Sequence, residues 1–439
     1  MPTKSAAHWI TVAGYAVVAL FVLYYTGVQV QFAVGRGDQL SDHARYTEAG
    51  SIRAGEGFAD NGLTSNDGLP DIAYGHAFEA TGAKHDRNIC ASPDRCVYLH
   101  NPPAQDLLLG VATDIFGKGH VARFRTVPLL IAFAGLGFMA WAMAYAIGPF
   151  RAAFVMATFA FVPMVTASMH NLTYVGYEIS LLEAEIGVLL LCFFCDLRLR
   201  VGLPALFVLG FLSGWVSWDY LAHVPLCALA IWFLRGDLRK HRKLMLYCTA
   251  ASAGGYYFAC ALHLLQVAVF LGSIQAMLDD YTQRGLARMS GSIERGVRVM
   301  GAWELVVLYT TKLVGPPNFY LGNYLWTSVV TLVALCFPTQ LPPVRIRGAS
   351  YAWRPAPSLK WAFLVAFVIP YFWIVLMRQH ASVHVFYLPR NWIVTFIVGA
   401  LALALSVQRR PLAPQVAAAD PEPPPPPTPE PEPLAEGTT

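Results

Sequence analysis

What most constrains this chain is a series of apolar runs, each near the roughly 20 residues that cross a bilayer as a helix. About ten can be marked, over 8–34, 121–147, 152–169, 177–195, 203–219, 220–234, 244–271, 319–337, 361–377 and 391–407. A backbone inside lipid must satisfy its own polar groups, which leaves helices or a closed barrel. Runs of this length read as helices. With 56% of its 439 residues hydrophobic and 13% charged, the chain is too apolar for a soluble protein of this size. The expected fold class is an all-α polytopic membrane protein of about ten transmembrane helices.

The first run has a weak basic flank, Lys4 and His8, and no small-residue cleavage site, so it reads as a retained anchor. An even number of spans puts both termini on one side. On that side the short connections hold Arg151, Arg198, Arg200, Arg235, Arg239, Lys240, Arg242, Lys243, Arg345, Lys360, Arg409 and Arg410. The bias of Lys and Arg toward cytoplasmic loops makes that side cytoplasmic. The net charge of +4 is too small to point to nucleic acid. Residues 1–410 form the membrane domain. Residues 35–105 form a large first loop on the far side, and 272–318 a second. Residues 411–439 are Pro, Glu and Ala with five prolines from Pro423 to Pro427, a composition that cannot bury a core and reads as a disordered cytoplasmic tail.

Six of the eight cysteines lie in apolar runs and read as packing residues. Cys90 and Cys96 lie in the polar first loop and are candidates for a disulfide if that loop is outside the cytoplasm. No further ligands accompany them at zinc spacing.

With this topology the unusual polar residues fall on the far side. Asp42 follows the first span directly, and Asp42, Tyr46 and Ala49 share a helical face at i, i+4 and i+7. His100 precedes Pro102-Pro103. His170, Asn171, Tyr174, Tyr177 and Glu178 lie between the third and fourth spans. Asp219 and Tyr220 lie at the outer end of the fifth, and Arg284 and Arg288 in the loop after the seventh. His380, His384 and Arg390 precede the last span. Each has a plain reading as well. Asp42 is the residue type that begins a helix, His100 fits a turn, and Glu178 fits a solvated span end. Asp219 fits an ion pair, and the two arginines fit lipid headgroups. His380-Ala-Ser-Val-His384 lacks the Glu of a metalloprotease helix. Ionisable groups at membrane depth are costly, and several on one side suit a site for a lipid-borne substrate.

Several of these residues stand in ordered motifs. Asp42-His-Ala-Arg45-Tyr46 resembles the Asp-Glu-x-Arg-Tyr run after the first span of GT-C-fold, polyprenyl-phosphate-dependent membrane glycosyltransferases. These include protein O-mannosyltransferases and lipid A aminoarabinose transferases. Tyr98-Leu-His100-Asn-Pro102-Pro103, with the short apolar piece ending at Phe116-Gly117, resembles their His-x-Pro-Pro stretch and its interfacial helix. Arg123-Phe-Arg125-Thr-Val-Pro128 resembles the opening of their second span, and Gln379 to Phe386 a His-containing motif before a late span. One departure is His43, which stands where the family commonly has Glu.

The resemblance implies an inverting glycosyltransferase of the bacterial inner membrane that works on the periplasmic side. It would move a sugar from a polyprenyl-phosphate donor to a lipid, glycan or protein acceptor. Asp42 maps to the catalytic acid of the first loop, and Glu178 to a second. Arg45, Tyr46, His100, Tyr177 and Asp219 are candidates for substrate contact. Arg284, Arg288, His380, His384 and Arg390 are candidates for the phosphate, with Arg suited to bidentate binding. The sequence identifies no cofactor, and a divalent cation bridging Asp42 or Glu178 to the phosphate is compatible with the chemistry. Two competing readings are a lipid-linked-sugar transporter and a non-catalytic assembly subunit with the tail as docking peptide. Transporters often carry inverted repeats, and none is evident here.

Overall fold

The structure, a computed structural model, describes residues 4–40, 45–74, 90–92, 95–160, 171–290, 300–312, 329–336, 344–346, 349–383 and 392–411. For Arg45, Tyr46, Cys90, Arg284, Arg288 and His380 it describes the backbone alone. Asp42, His43, His170, His384 and Arg390 lie outside the described residues, as does the tail beyond Pro411.

The chain is mostly helical. It opens with α1, Lys4–Arg36, and the first loop holds α2, Arg45–Asn61, and α3, Ala104–Phe116. Then come α4, Val121–Phe124, α5, Thr126–Ile147, and α6, Pro149–Ala160. The central helices are α7, Tyr174–Phe194, α8, Leu199–Val216, α9, His223–Arg235, and α10, Arg242–Leu271. They are followed by α11, Ile274–Ser290, and α12, Ala302–Lys312. The last are α13, Pro357–Leu376, α14, Arg378–Val383, and α15, Ile393–Ser406.

Among the described residues, five helices are long and apolar enough to cross a membrane: His8–Arg36, Val121–Ile147, Leu199–Val216, Arg242–Leu271 and Pro357–Leu376. The helix α7 is of similar length but carries Glu178, Glu183 and Glu185. The local sequence explains the breaks. Gly148 ends α5 at φ 92, a backbone conformation that side chains disfavour, and Pro149 starts α6 at the position where a missing N–H costs nothing. Pro128 lies in the first turn of α5 for the same reason.

One main core joins the helices, with α5 packed along α7 and α8 along α10. The α8–α10 seam is closed by glycine. A Cβ on Gly255 would stand 2.0 Å from the Phe207 carbonyl oxygen, and one on Gly210 would stand 2.1 Å from that of Ser252. Backbone cannot yield as a side-chain tip can. Gly255→Ala is therefore expected to lower the melting temperature of the purified protein, at a cost of about 1–3 kcal/mol. Gly254, with nothing within 4 Å of such a Cβ, is the control. Gly254→Ala should be neutral or slightly stabilising, since Ala favours helix by about 1 kcal/mol. Equal melting of the two variants would remove the seam argument.

The basic connections gather at one end of the bundle. Arg151 donates to the Val407 carbonyl, Arg235 donates to that of Phe193 at 2.9 Å, and Gly236 lies against Ser358. This end holds a feature absent from the sequence reading. After β1, Cys90–Ser92, and β2, Arg95–Cys96, of the first loop, the strands β3, Val344–Ile346, β4, Ala349–Trp353, and β5, Val407–Pro411, form an antiparallel sheet with β4 in the middle. The stretch expected as loop and as the start of a tail is thus paired backbone as far as Pro411.

A second correction concerns 272–302, read from sequence as polar loop. It contains the 17-residue α11. Gly272 ends α10 in the left-handed region, and the Ser273 hydroxyl accepts the Ala276 N–H at 3.2 Å, so one helix stops and the next begins within two residues. Met277 and Tyr281 of α11 pack with Leu69, Val97 and Leu99 of the first loop and with Val267 of α10.

Candidate active site

The end opposite the basic connections is assembled around a buried ion pair. Arg125, between α4 and α5, meets Glu48 of α2 at 3.1 Å, and both side chains are fully buried. Its second guanidinium nitrogen donates to the Gln39 carbonyl at 2.7 Å, and Glu48 also accepts the Leu172 N–H at 3.2 Å. Four separate stretches therefore meet at one pair: the exit from α1, α2, the start of α5 and the approach to α7. Arg36 reaches Asn171 at 3.4 Å, and Asp38 accepts the Ala122 N–H at the start of α4. This frame brackets the stretch that holds Asp42 and leads into Arg45 and Tyr46 at the start of α2. Glu48, two residues beyond the Asp42 to Tyr46 motif, was given no role in the sequence reading.

The loop around His100 is held from the other side. The Leu99 carbonyl accepts hydrogen bonds from Tyr281 at 2.9 Å and pairs with His263 Nε2 at 3.1 Å. Trp218 lies against both rings, with centroids 5.6 and 5.9 Å away. The rings of Tyr98 and His100 are 5.0 Å apart. Below this, Asp71 accepts the Cys96 N–H at 2.9 Å and Ile72 donates to the Cys96 carbonyl. Two short strands, Cys90–Ser92 and Arg95–Cys96, pair with Cys90 opposite Cys96, and Cys96 is disulfide-bonded. The six cysteines of the apolar runs are free thiols.

Two of the acids expected at the site, Glu178 and Asp219, are buried. Glu178 is 0% and Asp219 7% exposed, and both act electrostatically on Tyr256, whose hydroxyl donates to the Ser217 carbonyl at 2.8 Å. Glu178 of α7 and Asp219 of the turn between α8 and α9 thus both lie near Tyr256, and the reading of Glu178 as a solvated span end is corrected. Tyr177 is buried beside them, and Tyr220 stacks on His223 at 4.5 Å. The helix α11, carrying Arg284 and Arg288, packs against α14, carrying His380. Ser382 of α14 accepts the Met300 N–H at 3.0 Å.

Three further acids escaped the sequence reading. Asp106, in the first turn of α3, is 4% exposed; Glu183 and Glu185, in α7, are 1% and 0%. Glu185 accepts a hydrogen bond from Ser252. Glu183 has no hydrogen-bond partner on either oxygen among the described residues. Spacing held the signal for Glu183 and Glu185, whose neighbours on the helix face are largely apolar. No group of three His, Cys, Asp or Glu side chains among the described residues is arranged to hold a metal ion.

No protein-family model matches the chain, nor does any curated protein sequence. Two crystal structures of ArnT from Cupriavidus metallidurans are similar to it. One, bound to undecaprenyl phosphate, has 14% identity and a TM-score of 0.55, with 88% of this chain covered. The other, in the apo state, has 13% identity and a TM-score of 0.39 over 92% of this chain. The chain spans 59% of the first ArnT chain, less than two thirds of its length. At that identity the likeness speaks for the fold alone: this chain folds as a helical bundle similar to that of ArnT.

Proposed function

We propose that this protein transfers a sugar from a polyprenyl-phosphate donor to an acceptor hydroxyl at the non-cytoplasmic face of a bacterial inner membrane. The observation that carries the reading is the gathering of the acid-bearing segments at one end of a GT-C-type bundle, opposite the Arg- and Lys-rich connections. By the bias of basic residues that opposite end is cytoplasmic. A bond between Cys90 and Cys96 across their paired strands fits an oxidising compartment for the first loop. ArnT was crystallised with undecaprenyl phosphate, which supports a lipid phosphate as the leaving group here.

The chemistry is a single displacement. The acceptor oxygen forms a bond to the anomeric carbon, the bond to the donor phosphate breaks, and its electron pair leaves on the phosphate. Asp42 takes the acceptor proton late, when the hydroxyl has become acidic. Its usual pKa of about 3.9 leaves it ionised for that task. Arg284, Arg288 and Arg390 neutralise the departing phosphate, with His380 and His384 beside them. Glu178 and Asp219 bind sugar hydroxyls.

The test uses the full chain purified in detergent with a polyprenyl-phosphate sugar, scored for released polyprenyl phosphate across lipid, glycan and peptide acceptors. Acceptor-dependent release is expected. If no acceptor supports release while liposomes show movement of the donor between leaflets, the protein is a transporter and the reading fails.

A further inference from the structure

A seam of unsatisfied polar groups lies beneath the first loop, where α3 meets α2 and the start of α7. Asp106 and Gln105 of α3 and Ser51 of α2 are each 4% exposed, and Thr173 and Tyr177 are 1%. The Gln105 amide donates to Ser51 at 3.3 Å. Ser51 and Gln105 in turn hydrogen-bond Asp106. Asp106 Oδ1, Gln105 Oε1, the Tyr177 hydroxyl and Thr173 Oγ1 find no partner among the described residues. Unsatisfied buried groups are uncommon, and each calls for an explanation such as a bound water or a functional proton. Here one carboxyl and one phenol lie near each other, since Asp106 acts electrostatically on Tyr177.

Among the described residues, the surroundings hold little to balance a negative charge. On α2, Glu48 lies one turn before Ser51 and is engaged with Arg125. Arg123 of α4 is exposed. On α5 no ionisable residue follows Arg125 until Tyr145 at the far end, and α8 has none from Val201 to Val216. On α7 the groups at this end are Tyr174, Tyr177 and, next in sequence, Glu178. Accordingly, burial pushes the Asp106 carboxyl up to about 7, against the lowering effect of Ser51 and Gln105.

We propose that Asp106 is a proton-holding positioning residue: as the neutral acid it seats α3, and with it the His100 loop, against α2 and α7, and as the carboxylate it loosens that seat. The neutral acid supplies an O–H donor to a seam whose unmet groups include the Gln105 acceptor. The carboxylate supplies none. Any effect on transfer rests on the function proposed above; the effect on the seam does not.

The sign follows from linkage. The folded state holds the Asp106 proton to a higher pH than the unfolded chain, whose carboxyl titrates near 4. The benefit is complete below about pH 4, declines as pH rises toward about 7, and is gone above it.

Hydrogen exchange of the α3 amides in the full chain, corrected for intrinsic rates, reads the seat directly. In the parent, protection should fall as pH rises from about 4 to about 7, by up to about tenfold for each unit, and level off above about 7. Asp106→Asn removes the titration and keeps the shape, so its protection should stay flat and exceed the parent's at about pH 8, with a higher melting temperature there. The same pH dependence in both proteins would overturn the proposal. So would an Asp106→Asn protein unprotected in α3 at every pH, which would mark Asp106 as an ordinary helix-start acid. In the transfer assay, the parent's activity should decline above about pH 7 and the variant's should not. Should exchange behave as expected while no donor is turned over, the switch stands and the transferase reading fails.

Discussion

Replacing Arg125 by Met, or Glu48 by Leu, lowers the stability of the purified protein by on the order of 3–5 kcal/mol, because each leaves a buried charge without its counterion. Both side chains are fully out of solvent, so neither can recover its loss by turning to water. The Arg125→Met, Glu48→Leu double variant should be less damaged than the sum of the two. It carries no unpaired ion, and buried ion pairs are often replaceable by apolar residues. Full recovery is not expected. The Leu172 N–H loses its acceptor and the Gln39 carbonyl loses its donor, at about 1–3 kcal/mol each. A double-mutant cycle read by thermal unfolding in detergent should therefore give a favourable coupling of at least about 2 kcal/mol. Additive effects would mean that the pair does not tie the four stretches together.

The contrast between what could and could not be read in advance has a physical basis. Apolar length marks a membrane helix well, since the bilayer imposes it. The run expected over 121–147 appears as α4 and α5 over those same residues. Local punctuation was also readable, as in Gly148-Pro149. The failure at α11 came from weighing polarity over punctuation: Gly272-Ser273 marks a stop and a start, and Ile274, Met277, Leu278 and Tyr281 then share one face. That helix lies on the end of the bundle and the first loop, so it has no need to be apolar all round. The β3–β5 sheet was hidden because its strands are three to five residues long and two of them come from opposite sides of α13 and α15. Pairings over long separations are the least readable. Glu48 and Arg125 are 77 residues apart, and nothing near either names the other. Asp106 was missed for a different reason. An acid in the first turn of a helix is so ordinary that only its burial and its unmet oxygen set it apart.

Asp42→Asn should reduce transfer by about 10²- to 10⁴-fold, the usual range for losing a general base, while leaving melting temperature and membrane insertion unchanged. The choice of Asn separates the two roles open to this residue. As a helix-start residue Asn serves about as well as Asp, so a structural role predicts almost no effect on either measurement. As a base Asn cannot accept the proton, so a catalytic role predicts loss of turnover alone. The frame formed by Glu48, Arg125 and Leu172 lies on the C-terminal side of Asp42 and does not depend on its charge, so a folded protein is expected in either case. Glu48 variants give the complementary pattern, with stability and activity lost together. The affinity for donor should change little in Asp42→Asn, because the proton is taken only as the acceptor attacks. Near-parental turnover would remove Asp42 from the mechanism and turn attention to Glu178 and Asp219 as the remaining acids of the site.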